Sequence, residues 1–156
     1  MCHYCGCRDM PLIRDYVAEH ERVTGLADDI VRAIDRDDLE QARIAMSRMA
    51  GELESHWQGE ENGIFAVMAS QAEYADHIVP LVSEHRELAE LLASADVSDP
   101  VDQQRIRDAV PELREHISKE EDGLFPASLT ALTGSDWDAA IAAWHAAHPG
   151  KSLISD

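Results

Sequence analysis

One twelve-residue stretch occurs twice in this chain and limits what it can fold into. The copies are ESHWQGEENGIF, residues 54–65, and REHISKEEDGLF, residues 114–125. Both read H-x-x-x-E-E-x-G-[IL]-F, so His56 and His116, Glu60 and Glu120, and Phe65 and Phe125 are each 60 residues apart. On a helix, residues four apart lie one above the other on one face. Each copy therefore aims an imidazole and a carboxylate in the same direction. Two copies on facing helices make a cage of nitrogen and oxygen donors, the set that iron and other first-row metals take.

The rest of the chain supplies the helices for such a cage. Ile13, Tyr16, His20, Val23, Ala27, Ile30 and Ile34 recur at alternating steps of three and four, the period of a core-facing helical stripe. His20 stands where an apolar residue is due. A second helix is expected from a cap at Asp37, with Glu40 as the other half of a capping box, to about Ser70. Its stripe passes through Met46, Met49, Leu53, His56 and Glu60. A third, from about Ala72 to Ala95, carries His85 between Leu81 and Leu88. Asp99 and Pro100 read as a cap and first helical residue for a fourth, whose stripe includes Ile106, Leu113, Ile117 and Glu120, with His116 on its edge. Pro111 predicts a kink or a two-piece helix there, and Pro126 a bend or end just after the motif. Ser135 is the expected cap of a short fifth helix that closes at Pro149-Gly150.

These elements predict an all-α fold: an antiparallel up-down-up-down four-helix bundle with a short fifth helix at the C-terminus. Residues 1–10 read as a cysteine-rich arm, 11–132 as the bundle, and 133–156 as the last helix and tail. The halves look like copies, the helix of His20 matching that of His85. A chain of 156 residues is one domain by length. With 13 Lys and Arg against 31 Asp and Glu, nucleic acid and anionic membrane are expected not to be partners, because both need basic patches. No apolar run approaches the roughly 18 residues of a spanning helix, and the N-terminus lacks the pattern of a secretory signal. Three cysteines within six residues suit thiol or metal chemistry in a reducing compartment, so the expected location is cytoplasmic.

A lone His on an apolar stripe is most often a hydrogen-bonded core residue. Four helices that each place one His on or beside the core face, two of them with an inward Glu as well, are a different matter. Buried carboxylates need a cation, and no Lys or Arg lies near them on the stripes. Metal binding is the expectation, with the two carboxylates bridging two metals and two His ending each.

The pattern His20, His56-x-x-x-Glu60, His85, His116-x-x-x-Glu120 resembles the hemerythrin-like, HHE cation-binding domains over roughly residues 11–132. The resemblance implies a non-haem di-iron centre inside the bundle. His20 and His56 would hold one iron and His85 and His116 the other. Glu60 and Glu120 would bridge them, with an oxo or hydroxo group between the irons. The oxygen carriers of the family have a further His from an H-x-x-x-H pair on the third helix; here the positions four either side of His85 are Leu81 and Ala89. His77 lies about 80° round the helix and about 12 Å along it from His85, too far to substitute. The carriers also place their second carboxylate five residues after the His. Glu121 is available at that spacing but points off the stripe, which favours Glu120. A missing ligand implies a more open iron, suited to reaction with oxygen, peroxide or nitric oxide rather than to reversible oxygen carriage. The alternative is an iron-handling or iron- or oxygen-sensing module without turnover. Tyr16, one turn before His20, is a packing residue or a hydrogen-bonding neighbour of the open position. The remaining acidic residues read as solvated helix faces.

Cys2, Cys5 and Cys7 form a second feature. Thiolates suit zinc or iron–sulfur chemistry, and the expected topology brings the arm to the end of the bundle where the fifth helix starts. A thiol and histidine cluster with His145 or His148, able to hold Zn2+, is set against an arm whose thiols do nothing specific.

Overall fold

The structure, a computed structural model, describes residues 6–154. Among these residues all regular structure is helical. A 3-10 turn, Cys7–Asp9, precedes α1, Ile13–Asp35. Helix α2 is Leu39–Asn62, α3 Ile64–Ala69, α4 Ala72–Ser94 and α5 Pro100–Lys119. A π-helical turn, Glu120–Leu124, joins α5 to α6, Phe125–Ala131, and α7 is Gly134–Ala147. The long helices pack side by side as a helical bundle: α1 on α2 and α5, α4 on α2 and α5, with α7 laid against α2 and α3. No helix among the described residues is long and apolar enough to cross a membrane.

Two apolar clusters fill the bundle. One joins Val23, Ile30, Met49, Leu53, Ile106 and Leu113. The other joins Ile13, Tyr16, Ile64, Phe65, Phe125 and Trp144. Along α1, His20 lies between Val23 of the first cluster and Tyr16 of the second. Along α4, His85 lies between Leu88, packed on the first, and Leu81 of the second, and His116 and Glu120 lie between Leu113 and Leu124. The polar residues that interrupt the stripes thus form a layer with apolar packing on both sides.

Several local expectations are corrected. Asp38, not Asp37, caps α2, its carboxylate accepting from the Gln41 N–H at 3.2 Å. Asp37 takes the left-handed conformation, φ 57°, to reverse the chain, which Asp tolerates better than most residues. Thr133, not Ser135, caps α7 in a reciprocal box with Asp136. α5 runs unbroken through Pro111, whose ring lies on the exposed face.

The largest departure is at the repeated motif. The second helix does not run on to Ser70; it breaks at Gly63, and in the other copy the helix widens into the π-helical turn. The glycines differ in environment. A Cβ on Gly63 would lie 2.5 Å from the Gly59 carbonyl oxygen, 3.1 Å from that of Ala140 and 3.2 Å from the Ala143 Cβ, so α7 sits where a side chain would be. Nothing lies within 4 Å of the same position on Gly123. Gly63→Ala should therefore cost about 1–3 kcal/mol through overpacking, and Gly123→Ala less than about 0.5 kcal/mol. Chemical denaturation of the two variants tests the contrast; equal effects would mean that α7 is not seated on Gly63.

Candidate metal centre

The six inward side chains predicted from the stripes meet in the polar layer. His20, His56 and His85 are 3%, 2% and 1% exposed, His116 6%, and Glu60 and Glu120 0%. They form two groups. The Nε2 atoms of His20 and His56 are 3.1 Å apart, and those of His85 and His116 3.0 Å apart. Glu120 reaches both groups, with Oε2 3.0 Å from His20 Nε2 and Oε1 2.9 Å from His116 Nε2. Glu60 lies between them too, with Oε1 3.2 Å from His56 Nε2 and Oε2 3.6 Å from His85 Nε2. His20, His56, Glu60 and Glu120 are close enough together to hold one ion, and His85, His116 and Glu120 another.

The outer nitrogen of every imidazole faces a carboxylate. His20 Nδ1 is 2.8 Å from Glu121, His56 Nδ1 2.7 Å from Glu19, His85 Nδ1 2.9 Å from Glu61, and His116 Nδ1 2.6 Å from Glu84. Each carboxylate comes from one helix, or from the π-helical turn that continues α5, and each His from the next element round the bundle. The cycle runs α1 to α2, α2 to α4, α4 to α5, and the turn after α5 back to α1. A carboxylate holds the proton on Nδ1 and leaves a lone pair on Nε2, the arrangement that orients a metal-binding imidazole. Every carboxylate has a further partner, and for three of them it is a cation. Arg8 pairs with Glu121, Arg86 with Glu61 and Lys119 with Glu84. His148 Nε2 stands 2.7 Å from Glu19 Oε1.

These outer acids correct the reading of the remaining Glu residues as solvated faces. A signal was present: Glu-His occurs at 19–20, 84–85 and 115–116, where only the exposed Glu115 stays outside the set, and Glu-Glu at 60–61 and 120–121. In each Glu-Glu pair the first carboxylate enters the centre and the second reaches the Nδ1 of another helix. The motif Phe residues also find a role. Phe65 stacks on His85 and Phe125 on His20, with ring centroids 5.6 and 6.1 Å apart. Trp57 also stacks on His85, with ring centroids 4.9 Å apart. Tyr16 packs on Phe125 and edge-on to His56, and its buried hydroxyl has no hydrogen-bond partner.

Electrostatics mark the centre as short of cations. Neither carboxylate oxygen of Glu60 or Glu120 receives a hydrogen bond, although a buried carboxylate without donors is costly. Burial lowers the His116 pKa, but Glu120 and Glu84 outweigh it and push it up to about 9. Burial acts the same way on His20 and His56, and nearby carboxylates again win, raising both. Burial raises the Glu120 carboxyl, yet His116, His20 and His85 hold it well below its usual range. The Tyr16 phenol is driven up by burial and then by Glu60 and Glu19. With each Nδ1 turned outward to a carboxylate, the atoms facing inward are the four Nε2 nitrogens and the carboxylate oxygens. Bound cations complete such a set, and the mixed imidazole and carboxylate donors fit iron.

Residues 12–128 match the hemerythrin HHE cation binding domain. The chain belongs to that family. Comparison with curated proteins and with solved structures gives no match. The HHE domain covers α1 to α5, the π-helical turn and most of α6, and so includes all six inward side chains; Arg8 and His148 lie outside it.

The cysteine arm has a different outcome. Cys2 and Cys5 lie outside the described residues. Cys7 is buried in its 3-10 turn, which packs on α1 and α6. His145 is exposed on α7, and His148 is committed to Glu19 and to the Trp144 carbonyl. Among the described residues, no group able to hold a metal includes Cys7, His145 or His148.

Proposed function

We propose that this HHE domain is a di-iron protein that reacts with a small oxidant or diatomic ligand: oxygen, peroxide or nitric oxide. In this reading His20 and His56 hold one iron, His85 and His116 the other, and Glu60 and Glu120 bridge them. The four long helices run up-down-up-down round the pair. The carrying observation is the set of four buried carboxylate oxygens without a hydrogen bond, placed between two pairs of imidazole Nε2 atoms. Bound iron would supply the electrons and the Lewis acidity for reaction with such ligands.

The protein's own contribution is orientation and access. Four outer carboxylates keep each Nε2 turned inward, and Phe65 and Trp57 stack on the His85 ring as Phe125 does on that of His20. A cavity of about 220 Å³, lined by Trp57, His85, Leu88, Leu113 and His116 with Lys119 at its edge, opens beside the His85 and His116 pair. It admits molecules of two or three atoms and falls below the roughly 300–1,000 Å³ of sites for larger organic ligands. Leu81 and Ala89, four either side of His85, offer no further donor atom.

The test is iron-loaded protein with about two irons per chain, reduced and mixed rapidly with peroxide or nitric oxide. A change in the charge-transfer bands within seconds is expected. A single tightly held zinc, or a reduced protein that forms only a reversible oxygen adduct and is inert to peroxide and nitric oxide, would overturn the reading.

A further inference from the structure

The four outer carboxylates are not equally supported. The cations of three sit at the surface: the side chains of Arg8, Arg86 and Lys119 are 32%, 65% and 45% exposed. Water can replace any of them. The fourth is different. Glu19 and His148 are 3% and 4% exposed, and Trp144, also buried, stacks on His148 with ring centroids 4.2 Å apart. Trp144 Nε1–H donates to Glu19 Oε1 at 3.1 Å, the oxygen that His148 Nε2 also reaches. The second oxygen, Oε2, accepts from His56 Nδ1. Burial raises the Glu19 carboxyl, but His148 and His56 hold it far below its usual range. His148 Nδ1 faces the Trp144 carbonyl oxygen at 2.8 Å, so both ring nitrogens meet oxygen atoms.

We infer that His148, with Trp144, is a positioning residue for the metal held by His20 and His56, which makes α7 a working part of the centre although it lies beyond the family's span. The inference rests on the two-metal reading above. Without the α7 donors, Oε1 of Glu19 is left buried with no partner and no solvent to take their place. Glu19 then turns toward whatever donors remain, and His56 loses the acceptor that holds its proton on Nδ1. A proton that moves to Nε2 removes the lone pair the metal needs. The His85 and His116 pair has its own outer anchors, Glu61 and Glu84, and is joined to His56 through the Glu60 carboxylate.

The experiment compares full-length wild type with His148→Phe, which keeps a ring on Trp144 but no donor. Each protein is loaded anaerobically with ferrous ion and its metal withdrawn by a ferrous chelator. In His148→Phe one equivalent should leave about 10- to 100-fold faster than in wild type, in line with the loss of an outer partner, and the other, which shares only the bridging carboxylates with it, should be accelerated far less. Melting of the metal-free forms should agree. Trp144→Phe removes only the Nε1–H donor and should show a smaller change in the same direction; it carries the test if His148→Phe does not fold. Pairing either variant with Glu19→Gln should give less than additive effects. Two equivalents released at wild-type rates would overturn the inference alone. So would equal acceleration of both equivalents with lowered metal-free melting, since His148 would then hold the fold and not one metal. A wild type that takes up fewer than two equivalents overturns the two-metal reading itself, and this inference falls with it.

Discussion

On the two-metal reading proposed above, Glu120→Ala should leave a helical protein that no longer holds a metal pair. The Glu120 carboxylate spans the centre, one oxygen within 3.0 Å of His20 Nε2 and the other within 2.9 Å of His116 Nε2. Removing it takes an anionic donor from both groups at once. Loss of an outer partner alone weakens metal binding about 10–100-fold, so loss of a shared inner donor should exceed about 100-fold and read as near-absence of iron after desalting. The helices should persist, because the substitution also removes the desolvation cost of a fully buried charge. Iron analysis beside circular dichroism decides. Stoichiometric iron at wild-type affinity would remove the bridging role. A metal-free variant that has lost its helical spectrum, where metal-free wild type keeps it, would make Glu120 a structural group instead.

The second large effect concerns metal removal and pH. Without metal, protons stand in for cations: His116 titrates at about 9 in the folded chain, against about 6.5 for an ordinary imidazole. A pKa raised by folding contributes stability in full below about pH 6.5 and loses it as pH climbs through the folded value. The metal-free protein should therefore weaken between about pH 6.5 and 9, by up to a few kcal/mol, as His116 discharges and leaves Glu120 uncompensated. In the loaded protein the Nε2 lone pair is engaged by metal and there is no such proton to lose. The melting gap between loaded and metal-free protein should thus widen steadily from pH 6 to pH 9. A gap that is constant across this range would show that protons do not occupy the cation positions.

The centre itself was legible because helical period fixes the direction of each Cα–Cβ bond. His20, His56, Glu60, His85 and Glu120 stand where a stripe calls for apolar residues, and His116 stands on the edge of one. The outer layer was not legible in that way. Glu19 and Glu84 sit one position off the stripe, yet a Glu has enough torsions to reach sideways to the next helix. Glu121 is brought inward by the π-helical turn, which a regular period does not anticipate. His148 was assigned to the thiols by proximity of chain ends; the close seat of α7 on Gly59 and Gly63 carries it to Glu19 instead. Cap positions moved by one or two residues because the links at Asp37 and Thr133 were decided by turn geometry rather than by composition.

The cycle of four Glu and His contacts has a consequence for assembly. An apolar stripe alone specifies helix register weakly, since cores tolerate repacking wherever volume and pattern are kept. A slip of one residue in any of these helices would swing its Glu and its His by about 100°, breaking one contact with the helix before it and one with the helix after. No single helix can be misaligned without opening the cycle at two points. The ring therefore works as a register check on the bundle, and a chain that has closed it has also aimed every inward nitrogen before any metal arrives.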